Sequence, residues 1–213
     1  MAQIFPQRFD LLFRLVIGAT LFSVVGVLVA WHEFIAPAAG AAVEQTVPFS
    51  HKHHVGDDGI DCRYCHTSVE TSGFAGLPST ATCMTCHSQI FSDAPMLAAV
   101  RESLRTGRPM QWIRVHELPD FTYFNHSIHV AKGIGCVTCH GRVDRMPLMR
   151  LQQRLDMRWC LGCHRNPDPY LRPREHVFDL DWHGESPELS RTLHRDYAIR
   201  SAAELTSCST CHR

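Results

Sequence analysis

The chain has 213 residues, enough for one domain or two small ones, and its 21 basic side chains balance its 21 acidic ones. That balance supplies no positive field for nucleic acid, and the sequence carries no Walker, dinucleotide-binding or paired-carboxylate motif. Nineteen of the basic residues are Arg, with Lys52 and Lys132 the exceptions. A planar guanidinium pairs with carboxylates in two-point contacts and tolerates partial burial, so the bias suits a molecule that holds acidic groups inside; an Arg-favouring codon usage produces the same count.

Residues 1–10 read as a cytoplasmic stub and 11–31 as a transmembrane helix. Leu15 to Trp31 are apolar without a charge, and Leu11 to Phe13 extend the run beyond Arg14. Such a helix covers roughly 25 to 30 Å, about the hydrocarbon thickness of a bilayer. Gly18 and Gly26 leave room for a neighbouring helix. Arg8 and Arg14 precede the run, so the positive-inside rule keeps the amino terminus in the cytoplasm and sends the rest to the periplasm. Ala36, Pro37 and Ala38 also permit a cleaved signal peptide, but an uncleaved anchor is the expectation. Residues 32–48, rich in Ala and Pro, read as a linker, and 49–213 as the periplasmic domain.

Within that domain, Cys-x-x-Cys-His occurs five times, starting at Cys62, Cys83, Cys136, Cys160 and Cys208. The second thiols are Cys65, Cys86, Cys139, Cys163 and Cys211, and all ten cysteines are used. This spacing is the signature of c-type haem attachment, in which two thiols add to the vinyl groups and the adjoining His ligates iron. The proximal ligands are then His66, His87, His140, His164 and His212. Five disulfides or zinc sites would also use ten cysteines, but neither explains a His after every second one.

Upstream of the first two motifs stands Phe49, Ser50, His51, Lys52, His53, His54; upstream of the next two stands Phe124, Asn125, His126, Ser127, Ile128, His129. His126 follows His51 by 75 residues, Cys136 follows Cys62 by 74 and Cys160 follows Cys83 by 77. The near-equal offsets mark duplicated units of about 49–92 and 124–168, with a terminal motif at 208–212 outside both. A low-spin electron-carrying haem needs a second axial ligand, and His residues three apart on one turn can reach two irons. His51, His54, His126 and His129 therefore read as distal ligands. The fifth remains open among His116, Met146 and Met157, in that order. His53, His176, His183 and His194 read as surface residues, and no catalytic residue stands out.

The fold class expected is a single amino-terminal transmembrane helix plus a multihaem cytochrome c domain, mostly loops and short α-helices with little or no sheet. Porphyrin faces replace much of an aliphatic core. Asp93 predicts the cap of a helix from about Ala94 to Thr106, and Arg150, Arg154 and Arg158 at helical spacing predict another over Leu148 to Met157. The stretch from Asp179 to Ser201 carries no functional signal.

Around Phe49 to His54, Ile60 to Thr67, Phe74 to Ser88, Val115 to His129 and Met157 to Pro167, the chain resembles the pentahaem cytochrome subunit of bacterial alternative complex III, and more distantly the class III multihaem cytochromes. The resemblance implies five haem c groups and an electron-transfer role in a membrane quinol oxidoreductase, without catalysis by this chain alone. It implies an iron–sulfur subunit and polytopic quinone-binding membrane subunits as partners. It also implies onward transfer to a further cytochrome c subunit, a soluble periplasmic acceptor or a terminal oxidase. Where the family pattern has Met, this chain has Leu180. The alternative is a membrane-anchored multihaem quinol dehydrogenase feeding a periplasmic nitrite or nitrogen-oxide reductase.

Overall fold

A computed structural model describes residues 7–34 and 40–212. Most of the stub and the signal-peptide residues Ala36 to Ala38 lie outside the described residues. The chain divides into two compact units, 1–41 and 42–213.

In the first unit, α1 (Gln7–Phe34) is unbroken, as a run of Leu, Val, Phe and Ala without Pro allows. Its stretch from Arg8 to Trp31 is long and apolar enough to cross a membrane. Its large apolar side chains, Leu11 through Trp31, face outward around the whole circumference. The two hydroxyls in the run are satisfied within the helix, Thr20 donating to Val16 O at 2.9 Å and Ser23 to Ala19 O at 2.8 Å. Neither therefore brings an unpaired donor into an apolar phase.

The second unit is built of short helices: α2 (Cys62–Cys65), α3 (Thr80–His87), α4 (Ala98–Thr106), α5 (His126–Ala131), α6 (Cys136–His140), α7 (Met157–Arg165), α8 (Pro187–Asp196), α9 (Ala202–Leu205) and α10 (Cys208–Cys211). Helices this short are marginal alone and depend on caps and tertiary contacts. Asp61, Ser79, Asn125, Asp156, Ser186 and Ser201 each accept from a backbone N–H in the first turn of the helix they precede. Among the described residues extended pairing is limited to two isolated bridges, Ala42 with Arg150 and Ile134 with Leu171.

Residues 42–48, the later part of the stretch read as a linker, lie against the domain. Val43 N–H donates to Met149 O at 3.0 Å, the Gln45 amide exchanges hydrogen bonds with the main chain of Ile113, and Val47 is buried. This docking displaces the helix expected over Leu148 to Met157. Met149 and Arg150 are drawn into extended pairing, Leu155 takes a left-handed φ of 50°, and helix begins only at Met157. The helix expected from Ala94 is altered too. Pro95 forbids α geometry at Ala94, which is extended, so Pro95–Leu97 forms a 3-10 turn before α4 and Asp93 caps nothing. Gly107 ends α4 at φ 66°, where a side chain would be strained.

The apolar interior is small for a unit of this length. Val47, Leu97 and Val100 form its cluster, joined by Cys83, Met84 and Trp112. Phe74, Phe91, Phe121, Ile128 and Met157 remain exposed. A chain so short of buried aliphatic side chains, yet compact, is arranged to surround something apolar that it does not itself provide.

Candidate haem-binding site

All five Cys-x-x-Cys-His motifs lie on helices. One turn brings the two thiols to one edge, and the His sits at or just beyond the helix end: His66 after α2, His87 in α3, His140 in α6, His164 in α7 and His212 after α10. None of the ten cysteines forms a disulfide. Burial pushes the thiols of Cys136 and Cys139 up to about 12, with nearby Cys62 adding to the first and Cys163 to the second. Burial likewise raises Cys163 to about 11, with Cys160 adding to it. Such thiols stay protonated, unlike free thiolate nucleophiles.

The His pairs occupy turns in front of the motifs. His51 precedes a π-helical turn, Lys52–Asp57, and His54 lies within it; His126 and His129 lie on α5. The two copies match ring by ring. Phe49 meets His51 edge-on at 4.9 Å and stacks on His54 at 4.5 Å; Phe124 meets His126 at 4.7 Å and stacks on His129 at 4.4 Å.

Each of these four rings faces one motif His. The ring centres are 6.5 Å apart for His51 and His66, 6.1 Å for His54 and His87, 6.4 Å for His126 and His140, and 6.2 Å for His129 and His164. Two imidazoles sharing one metal, each with a bond of about 2 Å and its centre about 1 Å behind the nitrogen, stand about 6 Å apart. The residues present thus fit bis-imidazole iron at four places.

Hydrogen bonds set the tautomers. The Nδ1 atoms of His54, His66, His87, His126, His129, His164 and His212 lie 2.8 to 3.2 Å from the carbonyls of Ser50, Gly76, Ile90, Gly73, Asn125, Leu205 and Phe121. A carbonyl only accepts, so each Nδ1 carries the proton and each Nε2 keeps a lone pair for iron. Burial lowers His51 to about 4, helped by His66, His54 and His116. It lowers His140 to about 3, helped chiefly by His116 and His126. Burial also lowers His129 and His116. All four are held neutral, the form that ligates. Nδ1 of His51 and Nε2 of His116 are buried without a partner.

The three candidates for a fifth distal ligand stand apart. His116 packs against His140 with ring centres at 4.3 Å and planes at 71°, too close for a metal between them. Met146 is fully buried, and its carbonyl accepts from Lys52 N–H at 3.0 Å. Met157, first residue of α7, is 65% exposed. The ring against His212 is Phe121, at 5.9 Å. The remaining His side chains in the domain meet surface partners: His53 pairs with Asp57 and Asp58, His176 with Asp179, His183 with Asp181, and His194 with Asp168 at 2.5 Å.

Sequence reasoning missed Arg172. Although almost fully buried, it pairs with no carboxylate among the described residues: its guanidinium packs over Trp182 and donates to Asp179 O at 2.9 Å. It also fills the space beside Gly135, immediately before α6. Only Gly leaves that space, a signal visible in the sequence only after the fold is known.

Motif helices, facing imidazoles and a sparse aliphatic interior, together with one long apolar helix, define the class: a multihaem cytochrome c domain accompanied by an amino-terminal candidate membrane span. Residues 122–213, which hold the second His pair and three of the motifs, match the family described as cytochrome c7 and related cytochrome c. The chain is also similar to the multihaem cytochrome c subunit of menaquinone reductase from Nitratidesulfovibrio vulgaris (strain Hildenborough). The two are 41% identical over 103 residues, 48% of this chain and 48% of that one. The chain thus spans about half the length of the curated relative it matches.

Proposed function

We propose that this chain is the pentahaem electron-transfer subunit of a membrane quinone-linked oxidoreductase of the alternative complex III kind. It is anchored by residues 11–31, with the amino terminus cytoplasmic and the domain from 49 periplasmic. The observation that carries the reading is the recurrence of one ring-to-ring separation, 6.1 to 6.5 Å, between a motif His and a paired-turn His at four places. Bound there, c-type haem supplies one-electron chemistry at an iron closed on both faces. The ten motif cysteines hold the porphyrin edges; His66, His87, His140, His164 and His212 hold the irons from one side, and His51, His54, His126 and His129 hold four of them from the other. Nδ1–carbonyl bonds keep seven of those nine rings, all but His51 and His140, in the ligating tautomer and fix their rotation.

For the fifth site the surroundings favour Met157. It lies one turn before Cys160 on the same face of α7, and Cys160 is close enough to Cys211 for that thiol to add to its burial-raised pKa. The His116 ring packs against His140, too close to share a metal with it, and Met146 is fully buried beside the turn at Lys52. The chain itself is a carrier rather than a catalyst; quinone chemistry belongs to polytopic membrane partners, with an iron–sulfur subunit between, and a cytochrome, soluble acceptor or terminal oxidase beyond.

The relative's printed name supports a second reading of the assembly, a complex that works on menaquinone in the reducing direction. A quinol dehydrogenase feeding a nitrite or nitrogen-oxide reductase is the third. Mild detergent extraction from native membranes separates them. Co-purification with an iron–sulfur subunit and two polytopic subunits, and quinol-driven haem reduction, supports the first. Haem-driven menaquinone reduction supports the second, and an attached nitrite reductase the third. An intact mass without five added haems would overturn the pentahaem reading.

A further inference from the structure

Resting on that reading, we propose that the five attachment motifs form a single row in the spatial order Cys83, Cys62, Cys136, Cys160, Cys208. The first motif of the sequence is then an interior site and the second motif an end.

The links are contacts between neighbouring motifs or through the segments beside them. Tyr64 and Thr85 hold the same position within their motifs, and their hydroxyls are 2.6 Å apart, joining the second motif to the first. The first motif meets the third through Arg63, whose guanidinium lies 4.6 Å above the Phe178 ring, while adjoining Val177 O accepts from Cys136 N–H at 3.1 Å. The loop after His66 reinforces that link. Ser72 O accepts from Ser127 N–H at 3.1 Å, and Gly73 O accepts from the His126 ring at 2.9 Å. The third and fourth motifs share α5, whose two rings stand 6.4 Å from His140 and 6.2 Å from His164. The fourth meets the fifth where His164 donates to Leu205 O at 3.0 Å, three residues before Cys208.

What covers the ends differs. Beyond the second motif, α3 packs on α4, with Thr80 and Ser103 hydroxyls 2.6 Å apart, and on the cluster of Val47, Leu97 and Val100. Neither α4 nor the residues Val47, Leu97 and Val100 belong to a motif. Cys86 and Cys208 are the two exposed cysteines, and they belong to the two end motifs; the other eight are half-buried. The two end motifs, Cys83–His87 and Cys208–His212, are therefore the places this order offers to a redox partner.

The test is the set of iron positions in the purified, haem-loaded full chain, located by anomalous scattering at the iron edge and assigned by their covalent cysteines. The expected result is that the iron on His66 has the irons on His87 and His140 as its two nearest neighbours. An iron on His87 that lies nearer to the iron on His140 than the iron on His66 does would overturn the order. Five irons in another order sink this proposal alone, whereas fewer than five covalent haems sink the functional reading beneath it.

Discussion

At the scale of single residues, the site is a matter of which imidazole nitrogen is free. The carbonyls of Gly73 and Asn125 each take the Nδ1 proton of one α5 ring, so on the proposed ligand assignment the removal of one ring would deprive one iron and leave its neighbour intact. His126→Ala should therefore keep the full complement of covalent haem while converting one low-spin haem to high spin in the electron paramagnetic resonance spectrum. An unchanged spectrum would refute the ligand assignment. Burial lowers His51 to about 4 and His140 to about 3, so both rings are free of a proton and able to ligate at neutral pH.

At the scale of elements, the two His-bearing turns are held by different means. Asn125 caps α5 through its side chain, whereas the turn Lys52–Asp57 is pressed against the 3-10 turn Val143–Arg145, and Lys52 N–H donates to Met146 O. Gly56 faces the carbonyl of Asp144 so closely that a Cβ would collide with main-chain atoms that cannot move aside. Gly56→Ala should cost about 1–3 kcal/mol in thermal or denaturant unfolding. It should also perturb the spectra of the haems opposite His51 and His54 more than those opposite His126 and His129. The duplicated Phe and His positions made both turns legible, because their spacing repeats and their chemistry is shared. The misread helix over Leu148 to Met157 shows the opposite case. Its Arg residues recur at helical spacing, but Met149 and Arg150 find backbone partners at Val43 and Ala42, and long-range pairing outweighs weak local propensity. Likewise α8 (Pro187–Asp196) lies in a stretch without functional signal, yet its cap Ser186 and first-turn Pro187 were in plain view.

At the scale of the whole molecule, 42–213 forms its own compact unit, and α1 contributes an apolar surface instead of a core. A chain beginning at Ala42 and exported behind a cleavable signal should mature as a haem-loaded soluble protein. Cell fractionation would check this; retention in the membrane after removal of α1 would mean that the domain carries a second membrane contact. The sequence by itself determined the number of attachment motifs, the paired-His repeat and the apolar span, because each rests on residues close together in the chain and on chemistry that admits few substitutes. Only the tertiary structure decided which ring faces which, how Arg172 is accommodated beside Gly135, and why the first motif has neighbours on both sides. Those are contacts between segments up to 115 residues apart, and local spacing carries no record of how distant loops close upon one another.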